Sequence, residues 1–354
     1  MLEAEYSEDK ESILTDLAGC NSSFTVKTGV RGEARFSLVP GRMPKVSVIL
    51  LNLNGYQDTR DCLESLQQVK YSNFDVIVVD NGSTDNSAAR LEKEFPRTKL
   101  LRSKKNLGFT GGNNLGTEDA LREGADYVLL LNNDTVVHAG FLGEMVQVGE
   151  TDPRIGILGP KIFYASEPDR IWYAGGSIKY GACHHLGLDE LDRGDRFSRL
   201  QDTGFISGCA FLVKAKVLRE VGLLDPKLFV YHEDTDFCMR ARNAGYRCVF
   251  VPTARIWHKI SRTCGHESAF TLYLSTRNQL AWVAKHVPFP YKPAALAFTF
   301  AKKLLKMCVV AVRSRRSAAA VWAGIWAFLR GAYGPPRSQL LPTRQSALNS
   351  HLPR

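Results

Sequence analysis

Val46-Ser47-Val48-Ile49-Leu50-Leu51 is a short, continuous apolar run, half of it β-branched. It reads as a strand buried on both faces. Comparable runs follow at Asp75-Val76-Ile77-Val78-Val79-Asp80, at Leu100-Leu101 and at Tyr127-Val128-Leu129-Leu130-Leu131. Between them lie segments of helical period: Asp58 to Val69, Ser83 to Phe95 with Ser83 or Asp85 as its cap, and Asn113 to Glu123. Strands alternating with helices of about 12 residues build βαβ units around a parallel sheet, an α/β fold. Ligands of such sheets sit beyond the carboxyl ends of the strands. That rule selects Asn52-Leu53-Asn54, Asp80-Asn81-Gly82, Asn106 to Asn113 and Asn132-Asn133-Asp134, four polar loops expected to share one edge.

Within these loops, Asp80 closes a buried strand, where an aspartate serves equally as a helix cap or as a ligand group. Asn132-Asn133-Asp134 closes another; it is either an ordinary Asn/Asp turn or a single carboxylate presented to a divalent cation. Further on, Tyr231-His232-Glu233-Asp234-Thr235-Asp236 places three carboxylates in four positions ahead of a helical pattern. The helix dipole favours one or two of them as caps. It does not explain why they stand next to the apolar Leu228-Phe229-Val230, and a carboxylate there suits a general base. His258 ends the apolar stretch around Ile256-Trp257 and alone reads most simply as structural.

Charge divides the chain. Residues 291–354 hold 11 of the 46 Lys/Arg and no Asp or Glu, leaving 35 basic against 36 acidic groups in the remainder. The body is therefore near neutral, which argues against nucleic acid as a partner. In the basic segment, Leu304, Leu305, Val309, Trp322, Trp326 and Phe328 alternate with Lys302, Lys303, Lys306, Arg313, Arg315, Arg316 and Arg330 over two helical stretches, 294–312 and 318–333. Basic amphipathic helices of this kind either lie on an anionic membrane surface or pack on the body with Lys and Arg as a solvated face, and the longest uncharged run, Ser317–Leu329, is too short to span. The expected organisation is a polar extension over 1–43, a catalytic body over 44–285 with halves 44–135 and 136–285, a helical appendage over 286–335 and a tail over 336–354. The acidic start lacks a secretory signal, and the eight scattered cysteines read as reduced thiols of a cytoplasmic protein.

Taken together, Val46–Asn54, VIVVDNGS at Val76–Ser83, NLGFTGGNN at Asn106–Asn114, VLLLNND at Val128–Asp134, FISGCAFLV at Phe205–Val213, YHEDTDFCMR at Tyr231–Arg240 and Ala244–His258 resemble glycosyltransferase family 2. They are most similar to its rhamnosyltransferase and galactofuranosyltransferase-like branch. The resemblance covers about 45–263 and implies a GT-A type fold with a mixed, mainly parallel central sheet, here with a C-terminal helical appendage. It implies an inverting, metal-dependent transferase using Mg²⁺ or Mn²⁺ and a nucleoside diphosphate sugar, dTDP-L-rhamnose favoured over a UDP-sugar. The implied acceptor is a saccharide or polyprenyl-linked saccharide of cell-surface polysaccharide or glycolipid synthesis at the cytoplasmic face of the plasma membrane.

By position, Asn52, Asp80, Asn106, Gly108, Gly112, Asn113, Asn132 and Asn133 resemble donor-binding residues. Asp134 and His258 resemble metal ligands, Asp234 the base with Glu233 beside it, and Ser207 and Gly208 acceptor-side residues. The usual Asp-x-Asp is Asn132-Asn133-Asp134 in this chain, so the protein supplies less charge and the donor diphosphate more of the coordination. Two other enzyme classes fail on sequence: Asn52-Leu53-Asn54-Gly55-Tyr56 is not the G-x-G-x-x-G turn of nicotinamide enzymes, and no P-loop is present. The remaining alternative is a catalytically silent nucleotide-sugar-binding subunit.

Overall fold

The computed structural model describes residues 42–179, 182–260 and 268–336. Almost all of the expected N-terminal extension, and the tail beyond 336, lie outside them. The first half runs β1 (Val46–Asn52), α1 (Tyr56–Leu66), β2 (Phe74–Asp80), α2 (Ser87–Glu94), β3 (Lys99–Arg102), α3 (Gly108–Arg122) and β4 (Tyr127–Leu131). It continues through β5 (Thr135–Val137), α4 (Phe141–Glu150), β6 (Ile155–Tyr164), β7 (Ile171–Tyr173), β8 (Gly176–Lys179), β9 (Ala182–His185), β10 (Gln201–Asp202) and β11 (Ala210–Lys214). The remainder is α5 (Ala215–Val221), α6 (Glu233–Asn243), β12 (Arg247–His258), α7 (Ala269–His286), α8 (Tyr291–Arg313) and α9 (Arg315–Leu329).

The main sheet has the order β10-β12-β6-β11-β4-β1-β2-β3, with β5 added to β12 and β7 to β6. β3, β2, β1 and β4 are parallel, as are β6 and β12. β11 is antiparallel to both β4 and β6 and joins the two halves into one mixed, mainly parallel sheet. β8 and β9 form a separate hairpin. Val48, Ile49, Leu50, Val79, Leu129 and Leu212 are almost fully buried in the core, each contributing about 1.5–3 kcal/mol.

Two helix starts differ from the sequence expectation. α2 begins at Ser87, because the Ser83 hydroxyl accepts from Asn52 and Asn54 instead of capping, while Asp85 accepts from the Ser87 backbone. α3 begins at Gly108, so most of the expected loop 106–113 is its first turns. Glycine and asparagine have low helix propensity, but tertiary packing requires them. A Cβ at Gly112 would lie 2.3 Å from Leu51 Cδ1, and one at Gly116 2.6 Å from Ile49 Cγ2. Only glycines let this helix press so close to the sheet.

A second apolar cluster joins α7, α8 and α9 through Phe270, Leu274, Leu280, Val310, Val321 and Ile325, and takes in Phe229. This unit starts at α7, within the stretch assigned from sequence to the catalytic body. Gly324 of α9 stands where a Cβ would meet the Tyr273 carbonyl at 2.6 Å. No helix among the described residues is long and apolar enough to cross a membrane.

Candidate active site

The carboxyl ends of β1 and β2 are tied by one side chain. Asn52 is fully buried, and its Nδ2 donates to Asp80 Oδ1 at 3.2 Å and Ser87 Oγ at 3.0 Å, while its Oδ1 accepts from Thr59 and Gly55. Asn52 thereby orients Asp80, which is itself 6% exposed. The adjacent Asn81 pins the start of α3. Its Nδ2 donates to Asn106 Oδ1 and the Gly108 carbonyl, and its Oδ1 accepts from Leu107 N. Asn113 is buried and donates to the Phe109 carbonyl.

At the end of β4, Asn133 Nδ2 donates to Thr59 Oγ1 and the Asn132 N–H donates to the Cys209 carbonyl. β5 then turns back to pair with the end of β12, with Thr135 opposite His258. That pairing brings His258 Nε2 to 3.1 Å from Asp134 Oδ1, both side chains buried. Burial disfavours an imidazolium, whereas Cys209 and the Asp134 carboxylate favour it, and the balance raises His258 to about 10. Burial pushes the Cys209 thiol up too, so the favourable charge is that of Asp134. One carboxylate and one imidazole side by side suit Mn²⁺ or Mg²⁺. No group of three His, Cys, Asp or Glu among the described residues is placed to hold an ion alone. The donor set therefore fits a cation shared with diphosphate oxygens, for which proton and metal compete.

The three carboxylates of the Glu233–Asp236 run separate in space. Asp236 turns toward α7, where His286 and Lys285 contact its Oδ1 at 2.7 Å, and Arg240 takes Oδ2 at 2.9 Å. These partners overcome burial and hold Asp236 well below the usual carboxylate range. Asp234 is half-buried. Its Oδ2 accepts from Gly208 N at 2.9 Å and its Oδ1 from Thr235 N at 2.6 Å. Burial raises Asp234, while these two N–H groups favour its ionised form. Glu233 is raised by burial and then by the Asp234 charge, and its Oε2 is buried with no hydrogen-bond partner. Surroundings that treat neighbouring carboxyls so differently assign the proton to Glu233 and the charge to Asp234.

Ahead of α6, Phe229, Tyr231 and His232 take φ values of 67°, 75° and 70°. A left-handed backbone at non-glycine residues costs about 1–3 kcal/mol each. A Cβ at Gly108, itself at φ 74°, would lie 2.5 Å from the Phe229 carbonyl oxygen, so the donor-side helix and this turn are in contact.

The expected site residues are thus linked through neighbours. Asn132 meets Cys209, Gly208 meets Asp234, Phe109 lies within van der Waals reach of the Gly208 position, and Ser207 Oγ accepts from Cys209 N. Asn81, Cys209, Arg277 and Asn278 were not singled out from sequence. A cleft of about 550 Å³ lined by Gln201, Asp202, Thr203, Arg242 and Arg247 contains none of the site carboxylates. Its Arg247 is already paired with Asp202 and Asp152.

The family model described as Glycosyl transferase family 2 matches residues 47–222. An uncharacterized protein, y4gI, of Sinorhizobium fredii is 32% identical over 237 residues, 63% of this chain; the chain spans a quarter (25%) of that protein's length. An N-acetylglucosaminyl-diphospho-decaprenol L-rhamnosyltransferase of Mycobacterium tuberculosis is 29% identical over 229 residues, 58% of this chain and 73% of that one. Among solved structures, Staphylococcus aureus TarS 1-349 in complex with UDP-GlcNAc superposes with a TM-score of 0.55 at 16% identity, covering 81% of each chain. Mannosyltransferase PcManGT from Pyrobaculum calidifontis, in complex with GDP-Man and Mn²⁺, gives 0.53 at 17%, covering 82% of this chain and 88% of that one. At these identities the likeness establishes the GT-A type fold.

Proposed function

Because the chain belongs to glycosyltransferase family 2, we propose that it moves a sugar from a nucleoside diphosphate sugar to an acceptor hydroxyl with inversion at the anomeric carbon. The observation that carries this reading is the edge where Asp80, the buried Asp134–His258 pair and the half-buried Asp234 are tied together by Asn52, Cys209 and Gly208. Asp80, held by Asn52, receives the nucleoside. Asn106, Gly108, Gly112 and Asn113 line the donor, with Asn132 and Asn133 beside its phosphates. Asp134 and His258 would hold the cation, a Lewis acid for the departing diphosphate. Asp234, oriented by Gly208 N–H, takes the proton of the acceptor hydroxyl as that oxygen bonds to the anomeric carbon. The bond to diphosphate breaks and its electron pair leaves with the phosphate. Ser207 and Gly208 border the acceptor, and protonated Glu233 spares the pocket a second negative charge.

The relative named as an L-rhamnosyltransferase supports an L-rhamnosyl donor and a lipid-linked N-acetylglucosaminyl diphosphate as acceptor; dTDP-L-rhamnose is the donor proposed. A thermal-shift panel of dTDP, UDP, GDP and CDP, each with and without Mn²⁺, tests the donor site. Saturating ligand stabilises by a few kcal/mol. A metal-enhanced shift selective for dTDP is expected; selectivity for UDP would replace rhamnose with a UDP-sugar. No shift with any nucleotide would remove the donor site from this edge, and a shift without turnover would favour the silent-subunit alternative. Release of dTDP from dTDP-L-rhamnose, driven by N-acetylglucosaminyl-diphospho-polyprenol, then measures turnover.

An anionic membrane on its cytoplasmic face is the proposed partner of the helical unit. Leu305 (66% exposed), Val309 (59%) and Trp322 (51%) face solvent among Lys302, Lys306, Arg315 and Arg316. Each basic group near anionic lipid adds about 1 kcal/mol. Deleting α8 and α9 would uncover Tyr273 and Leu274 of α7, so surface changes are the cleaner test. Leu305→Glu combined with Trp322→Glu is expected to abolish co-flotation with phosphatidylserine vesicles at unchanged thermal stability. Undiminished flotation would move the contact elsewhere.

A further inference from the structure

The turn that delivers Asp234 is held by α7. Asn278, fully buried, donates through Nδ2 to the carbonyls of Leu228, Val230 and Tyr231 at 2.8, 2.8 and 2.9 Å. Arg277, also fully buried, donates through Nη2 to the Leu228 carbonyl at 3.1 Å and through Nη1 to that of Gly334 at 2.8 Å. Its Nε donates to Asn278 Oδ1 at 2.9 Å and so fixes which way the carboxamide points. The remaining carbonyl of the turn, Phe229, accepts from Thr110 N of α3 at 3.1 Å. All four carbonyls from Leu228 to Tyr231 are thus taken by residues distant in sequence. A backbone with left-handed residues at 229, 231 and 232 persists only when its surroundings over-determine it, and this lattice of donors does so. Arg277 has no carboxylate partner among the described residues and is directed at main-chain oxygens, an unfavourable way to bury a cation; a turn that must be held in one geometry accounts for it.

We propose that Asn278, oriented by Arg277, is a positioning residue for the reaction, fixing the left-handed turn so that Asp234 meets Gly208 N–H and faces the acceptor hydroxyl. The proposal rests on Asp234 being the base. A displacement of about 1 Å costs on the order of 10²-fold in rate. Asn278→Ala is therefore expected to lower kcat by about that factor, with the dissociation constant for the nucleoside diphosphate and the KM for donor nearly unchanged. Those two quantities report chiefly Asn52 and Asp80 at the ends of β1 and β2, and the turn meets α3 through the Phe229 carbonyl, which Asn278 does not bond.

A double-mutant cycle with Asp234→Asn separates the possibilities. If Asn278 acts through Asp234, Asn278→Ala has no further effect once Asp234 is Asn. Multiplying losses, or a fall in nucleotide affinity parallel to kcat, would reduce Asn278 to a packing role. Should Asp234→Asn alone keep full turnover, the base assignment fails, an outcome distinct from normal turnover in Asn278→Ala. Asn278→Ser, which keeps one donor, is expected to lose less, and it substitutes if the alanine variant does not fold. Turnover equal to that of the unaltered protein in a folded variant of either kind overturns the proposal.

Discussion

Asp234→Asn is expected to lower sugar transfer by about 10²–10⁴-fold, the range associated with a general base, while nucleoside diphosphate affinity stays as it was. The substitution is nearly isosteric. Its carboxamide oxygen can still accept from Gly208 N, at the loss of the bond from Thr235 N, and the carbonyls of the turn keep their bonds to Asn278 and Arg277. What disappears is a proton acceptor at the mouth of the pocket. The pH dependence follows from the same environment. Burial raises Asp234 above the ordinary aspartate range, and only its ionised form works, so kcat should climb with pH through a limb above that range. Glu233 is raised further by the Asp234 charge and carries its proton while Asp234 works. Glu233→Gln imitates that protonated form and should leave the limb in place or lower it slightly. Full turnover in Asp234→Asn would remove this residue from the mechanism.

Asp134→Asn is expected to erase the Mn²⁺-dependent share of nucleotide stabilisation, a part of the total of about 2.7 kcal/mol expected when nucleotide with Mn²⁺ is at a hundred times its dissociation constant. In Asn132-Asn133-Asp134 no second carboxylate can take over. His258 would be left beside a carboxamide, which offers a cation no charge. The metal-independent share, set by Asp80 and Asn52, should survive. The readout is therefore a difference between two titrations of one variant, and a general loss of stability cannot imitate it. Mn²⁺ enhancement equal to that of the unaltered protein would place the cation elsewhere.

The strands were legible because each is a compact apolar run whose burial is written in its own residues. Asp80, Asp134 and Asp234 were legible because they punctuate such runs. The start of α3 was not, because Gly108 and Gly112 look like loop locally, whereas Phe229 beside Gly108 and Leu51 beside Gly112 leave no room for a side chain. The carboxylates at 233–236 look like one cluster in sequence, yet His286 and Lys285 draw Asp236 away from the others. Arg277 and Asn278 were invisible for a related reason. Their partners are backbone carbonyls some fifty positions away on either side, and a polar pair on a helix reads as a solvated face. The available signal was its setting among Leu272, Leu274, Leu280 and Trp282, all buried.

The strand order has a consequence for how the protein is made. β12 is the last strand among the described residues, yet it lies inside the sheet, between β10 and β6. β6 is buried along nearly its whole length. During synthesis, residues 165–246 must emerge before β12 can cover it, so a long apolar edge stands open on the nascent chain. Such edges recruit other chains. Yield in a cell should thus depend less on the finished fold than on how well translation and chaperones shield β6 during that interval.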